Sequence, residues 1–210
     1  MHIYAGYTNL SGDKSMSDTE ACDGWDNAAC EGSPYCPPRC PRFLDGDGAA
    51  VLIRRYAADD FDALVSMYDD IDATQTTMGL PPVTERRRRE WLRTLTDDGW
   101  NLIARIGDRI VGHVGVAPMT AADPEFVVFV HQSFQNRGLG TEMLMHLIAY
   151  AGDRGHDELN LSVSADNTRA ITVYENIGFD IVERMSTTLE MTLPLRRPTV
   201  ERAQRPPAYR

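Results

Sequence analysis

Two groups of residues in the sequence have types and spacings that could do chemistry. The run Gln135-Asn-Arg-Gly-Leu-Gly, followed by Thr141, places two glycines between an apolar stretch and an amphipathic one. Glycines there let consecutive backbone N–H groups turn toward one point, and a following helix adds roughly half a positive charge at its N-terminus. An anion binds such a point, and Thr141 could add a hydroxyl. The same pattern also serves as a plain tight turn. It is not a P-loop, which needs Gly-Lys-Ser/Thr, because no lysine lies near. Nor is it a dinucleotide fingerprint, since Met143 stands where a third small residue is required. The second group is Cys22, Cys30, Cys36 and Cys40, all the cysteines of the chain, with seven, five and three residues between them. Four thiolates can complete a closed structural zinc site and so fold a segment rich in Pro and Gly. The spacing lacks paired Cys-x-x-Cys knuckles, so disulfides and unligated thiols stand beside zinc as readings.

The elements around these groups follow from periodicity. Residues 1–48 carry no sustained apolar period and read as an irregular extension. From Val51 a strand pattern begins, and Phe61, Leu64, Val65 and Tyr68 then recur at helical spacing. Thr84 is a plausible N-cap for a second helix that carries Trp91, Leu92 and Leu95 toward the core. Three apolar runs beginning at Trp100, Arg109 and Glu125, joined by short turns, predict an antiparallel meander. After the glycine loop, residues 141–151 place Met143, Leu144, Leu147, Ile148 and Ala151 on one helical face, ending near Gly152 and Gly155. A strand at Leu159, a helix over 168–176 and two more strands up to Leu193 follow. Beyond Pro194, several Pro and Arg predict a disordered tail. The expected organisation is therefore an extension over 1–48, a folded domain over 49–194 and a tail over 195–210.

A chain of 210 residues gives room for one ordinary domain and an appendage. Apolar residues at 42% with 25% charged residues describe a soluble globular chain, and no apolar run approaches the roughly 18 residues that span a bilayer. The N-terminal stretch lacks the basic start and long apolar centre of a secretory signal, which predicts a cytoplasmic protein. The net charge of -10, with Lys14 as the sole lysine and Asp outnumbering Glu, matches the balance of a salt-accumulating halophile and predicts a halophilic archaeal source. In molar salt such acidity is a solubility device. A GC-rich genome would explain the arginines but not the aspartates. The acidic whole, with no aromatic residues interleaved among the basic ones, argues against nucleic acid as a partner.

The run Val128-Phe-Val-His-Gln-Ser-Phe-Gln-Asn-Arg-Gly-Leu-Gly-Thr resembles the central signature of the GNAT acetyltransferases, whose acyl-CoA loop reads Gln/Arg-x-x-Gly-x-Gly/Ala. Downstream, Asn167-Thr-Arg-Ala-Ile-Thr-Val-Tyr-Glu-Asn-Ile-Gly-Phe resembles the second signature, with Asn167, Ala170, Tyr174, Gly178 and Phe179 in the expected places. The resemblance covers residues 51–193 and leaves out the cysteine-bearing extension. It implies an α/β fold: a mixed, twisted sheet of six or seven strands with a splayed central strand and helices on both faces. It also implies acetyl-CoA as cosubstrate and transfer of its acetyl group to a primary amine by direct attack. The acceptor would be a protein amine or a small molecule, and the protein a monomer or homodimer. A non-catalytic module that senses acetyl-CoA is the reading from another class.

The resemblance also assigns roles to residues. Backbone groups of Val128, Phe129 and Val130 would pair with pantetheine, and the Val130 N–H would donate to the thioester oxygen as charge develops there. Gln135, Asn136, Arg137, Gly138, Leu139, Gly140 and Thr141 would hold the pyrophosphate, and Asn167 would bond the pantetheine arm from the opposite wall. Tyr174 would be the general acid toward the leaving sulfur, its alternative being a tyrosine merely packed beneath the sheet. Glu125 would accept the amine proton directly or through water, unless strand alternation turns it from the cleft, with His113 and His131 as rivals. Arg86 to Arg89 with Arg93 suit either an acidic acceptor or a solvated helix face. Met143 and Met145 read as core filler.

Overall fold

Apolar residues at two-residue spacing drive the chain into strands whose two faces are both covered. The computed structural model describes residues 26, 28–71 and 81–210. Within them one mixed sheet holds β1 (Arg42–Leu44), β2 (Ala50–Arg55), β3 (Trp100–Ile106), β4 (Arg109–Ala117), β5 (Glu125–Val130), β6 (Glu158–Ser164), β7 (Asp180–Arg184) and β8 (Thr188–Pro194). Their spatial order is β1-β2-β3-β4-β5-β6-β8-β7, antiparallel throughout except for β5 against β6. This is the expected mixed sheet with eight strands rather than six or seven. The additional edge strand β1 comes from the stretch that reads as irregular, because it is only three residues long and too short to show a period.

Helices cover both faces. On one lie α1 (Phe61–Asp69) and α2 (Glu85–Asp97), whose Leu64, Val65, Tyr68 and Leu92 pack on Ile103, Ile110 and Phe129. On the other lie α3 (Leu139–Arg154) and α4 (Thr168–Ile177), with Leu144, Leu147, Ile148 and Tyr174 against Val114, Phe126 and Leu161. The seating of α3 depends on Gly112 in β4, where a Cβ would stand 2.5 Å from the Met143 sulfur. Met143 is thus core filler, as its spacing suggests.

The tail departs from the sequence reading. Residues 197–204 form α5 (Arg197–Gln204) with Pro198 in its first turn, where a missing N–H costs nothing, and Ala203 is buried. This helix lies against α3 so closely that a Cβ on Gly152 would meet Val200 at 2.5 Å. The Ala208 N–H donates to the Cys30 carbonyl at 3.0 Å, and a buried ion pair joins Arg39 to Glu142 on α3. Extension and tail therefore form one layer over α3 instead of two loose ends. Of the three readings of the cysteines, zinc finds no cluster of ligands among the described residues. Cys40 is buried, Cys36 exposed and Cys30 between, and among the described residues no three His, Cys, Asp or Glu side chains converge as metal ligands. Cys22 lies outside the described residues.

Beneath α1, the His113 ring is fully buried, with Nδ1 2.8 Å from the Tyr68 hydroxyl and Nε2 2.9 Å from Asn101 Oδ1. Since the Asn101 amide nitrogen donates to Leu95 O, Oδ1 accepts, so the ring is the neutral Nε2–H tautomer accepting from Tyr68. Burial pushes its pKa down to about 3. The unfolded chain takes that proton near pH 6.5 and the folded chain only near pH 3, so stability is full above pH 6.5 and falls as pH drops below it. The expected loss from His113 alone between pH 7 and pH 5 is about 2 kcal/mol. Urea titrations across that range should show a shallower slope for His113→Gln than for the parent.

Candidate active site

β5 and β6 pair only at Glu125 and Asn160, and beyond that step they part. The His131 N–H donates to Val111 O of β4 at 2.9 Å, so alternation turns the N–H and C=O groups of Val128 and Val130 to the opposite, open edge. A cavity of about 530 Å³ fills the wedge, with Val128, Val130, Leu161, Val163, Asn167 and Tyr174 among its walls. A strand edge without a backbone partner, facing a cavity of that size, suits an extended chain bearing amides.

The loop at the wide end is built from two left-handed residues, Asn136 at φ 64° and Gly138 at φ 81°. Asparagine and glycine tolerate that conformation. Gly138 is the N-cap of α3, and the Glu142 N–H makes the first helical bond, to Gly138 O at 3.0 Å. The N–H groups of residues 139–141 thus have no partner within the helix, which leaves an anion-binding end. A Cβ built on Gly140 would meet only Val130, at 3.8 Å, so this glycine borders open space in the cavity. The donors and the space beside them fit the diphosphate and pantetheine of an acyl-CoA.

Side chains of the loop divide between tasks. Leu139 is buried in the core and Thr141 is exposed, outside the cavity walls. Arg137 turns its guanidinium to Asp47 at 2.9 Å and Asp45 at 3.7 Å, over the Phe134 ring. The hairpin between β1 and β2 also donates its Gly46 N–H to Arg137 O at 2.8 Å. Gln135 stays in the cleft, donating from Nε2 to Val130 O at 3.0 Å, while its Oε1 accepts from Arg169 at 3.3 Å. Asn167 Oδ1 accepts the Ala170 N–H at 3.2 Å, capping α4, which leaves the amide nitrogen and the second oxygen lone pair for a ligand.

Tyr174 lines the cavity with its ring between Phe126 and Phe179, at centroid distances of 6.4 and 5.6 Å. Burial pushes its phenol up to about 12, so the hydroxyl holds its proton at neutral pH. Phe129 belongs to the walls through its strand, while its ring packs on Tyr68. Glu125 is exposed at the narrow end and outside the walls; alternation with Val127 and Phe129 sets it on the α1 and α2 face. Neither rival histidine reaches the cleft. His113 is locked in its buried network, and His131 accepts the Ser133 N–H at Nδ1 with Nε2 3.0 Å from Asp70.

The model of the Acetyltransferase (GNAT) family matches residues 64–179, over half of the chain. The chain belongs to the GNAT acetyltransferase family. A mycothiol acetyltransferase of Clavibacter sepedonicus is 30% identical over 135 residues, covering 62% of this chain and 43% of its own length. The ribosomal protein bS18 alanine N-acetyltransferase of Salmonella typhimurium is 46% identical over 55 residues, 26% of this chain and 37% of that one. This GNAT chain thus spans under half the length of either relative. The fold is shared with YncA of Salmonella typhimurium, solved with its cofactor acetyl-CoA, at a TM-score of 0.59 and 19% identity over 70% of this chain and 95% of that one.

The GNAT cleft contains residues that sequence reasoning missed. Leu144 and Ile71 add apolar wall, and Arg169 reaches the mouth. Arg169 sits two residues after Asn167 in the second signature, so its position was visible. Its proximity to Gln135 was not, because 34 residues separate them.

Proposed function

We propose that this chain transfers the acetyl group of acetyl-CoA to a primary amine, with a protein lysine or N-terminal amine as acceptor, in the cytoplasm and as a monomer or homodimer. The observation that carries the reading is the open edge of β5, facing a wedge bounded by the α3 amides and Tyr174. In this reading the Val130 N–H donates to the thioester oxygen and Tyr174 gives its proton to the departing sulfur, while the amine proton passes to water, because Glu125 stands outside the cavity walls on the α1 and α2 face. Acetyl-CoA, when bound, supplies the activated acetyl group. The likeness over 55 residues to an alanine N-acetyltransferase of a ribosomal protein supports a peptide or protein acceptor over a small molecule. A thiol-release assay with acetyl-CoA and a panel of amines and peptides tests it. Release with a peptide and none with amino acids or polyamines is the expected outcome, and binding of acetyl-CoA with no turnover on any amine would mark a sensing module instead.

The loop geometry sets an order of damage. Gly140→Val fills the space beside the amides without backbone strain, since Gly140 has no left-handed φ. Its expected cost to acetyl-CoA binding is about 1 to 3 kcal/mol, roughly five- to 150-fold in affinity. Arg137→Ala removes a charge already engaged by Asp45 and Asp47, and its expected effect on affinity is under about threefold. Isothermal titration of both variants checks the order, and a reversed order would mean that side chains rather than amides hold the phosphates.

A further inference from the structure

The charges of the cleft are unequally placed. Its walls include one cation and one anion, Arg169 and Asp166, while Arg137, the arginine of the loop itself, is turned outward to Asp45 and Asp47. An acyl-CoA brings a diphosphate and a further phosphate to this mouth. Arg169 stands in the first turn of α4, where the helix dipole disfavours a cation, and among the described residues it forms no ion pair with a carboxylate. Its position therefore does little for the helix. What its guanidinium does contact is Gln135 Oε1 at 3.3 Å, across the mouth and at the start of the loop whose amides are free to take a phosphate.

Building on the acyl-CoA reading, we propose that Arg169 is the phosphate-binding cation of this site: it closes over the pyrophosphate from the α4 wall, exchanging Gln135 Oε1 for a phosphate oxygen. The exchange replaces a neutral acceptor by a charged one, which strengthens the hydrogen bond. It also places the anion between two helix N-termini, those of α3 and α4, and returns the Arg169 charge to a favourable setting. Gln135 keeps its Nε2 bond to Val130 O, so the loop need not reorganise.

The test is a set of binding titrations with Arg169→Gln and Arg169→Lys against acetyl-CoA, its 3′-dephospho form and S-acetyl-pantetheine, which has no phosphate. Arg169→Gln is expected to weaken acetyl-CoA and dephospho-acetyl-CoA alike by about five- to twentyfold, a hydrogen bond to a charged group discounted for exposure. S-acetyl-pantetheine should bind parent and variant equally, and Arg169→Lys should recover part of the loss. The penalty should shrink as salt is raised. An equal loss with all three ligands would assign Arg169 a structural role and overturn the proposal, as would no loss with any. Loss confined to the ligand with the 3′-phosphate would overturn the pyrophosphate assignment. If the parent protein binds none of the three, the acyl-CoA reading itself falls, an outcome distinct from parent binding that Arg169→Gln leaves intact.

Discussion

Tyr174→Phe should lower turnover by about 10²- to 10⁴-fold, the usual contribution of a general acid, while acetyl-CoA affinity stays within about twofold of the parent. The substitution keeps the ring that packs between Phe126 and Phe179 and deletes only the hydroxyl. Tyr174 lines the cavity, and burial pushes its phenol up to about 12, so at ordinary assay pH the hydroxyl is a proton donor and not a base. A departing thiolate is where a donor helps, since negative charge grows on sulfur as the carbon–sulfur bond breaks. The amine gains positive charge at the same time, which a phenol cannot relieve; that task needs a carboxylate or water. Steady-state kinetics and a thermal melt separate the two readings of the tyrosine. A packing role predicts a lowered melting temperature with turnover nearly intact, and a catalytic role predicts the converse. Turnover within about twofold of the parent would remove Tyr174 from the mechanism.

What could be read from sequence was what local geometry dictates. The glycine loop was legible because a left-handed N-cap at Gly138 and an amphipathic helix after it are requirements of neighbouring residues. The meander was legible because Phe126, Val128 and Val130 alternate with Val127 and Phe129 between the two faces. The direction of Arg137 was not, because the aspartates that turn it away arrive from a hairpin some 90 residues earlier. The tail was misread for a related reason. Pro and Arg signal disorder when they have no surface to rest on, and the surface here is α3, opened by Gly152 and covered by Val200 and Ala203. The cysteines show the opposite relation: clustering along the chain does not bring Cys30, Cys36 and Cys40 together as metal ligands, and the reading of unligated thiols, open from the spacing, fits these three.

Breaking the Arg39–Glu142 pair should destabilise the fold by about 3 to 5 kcal/mol, the range for stranding one partner of a buried ion pair. Arg39 donates from Nε and Nη2 to the two Glu142 oxygens, both at 2.7 Å, and from Nη1 to Ala203 O in α5. The two side chains are 4% and 10% exposed, and Arg210 adds a third contact to Glu142 at 3.3 Å. One carboxylate in the first turn of α3 thus holds the extension, the tail and the helix that follows the glycine loop. In Arg39→Ala the carboxylate keeps Arg210, the His146 Nδ1 at 3.5 Å and the helix N-terminus; in Glu142→Ala the Arg39 and Arg210 guanidinium groups lose their shared carboxylate. Urea unfolding should register either loss as a lower midpoint with little change in slope. Arg39→Met combined with Glu142→Leu removes both charges and keeps the volume, so the double variant should regain most of what either single variant loses. Net stabilities are only about 5 to 15 kcal/mol, so the single variants should be marginal folds in which acetyl-CoA binding raises the midpoint by mass action. If both single variants lose less than about 1 kcal/mol, the surface-pair range, the terminal segments ride on the domain without stabilising it.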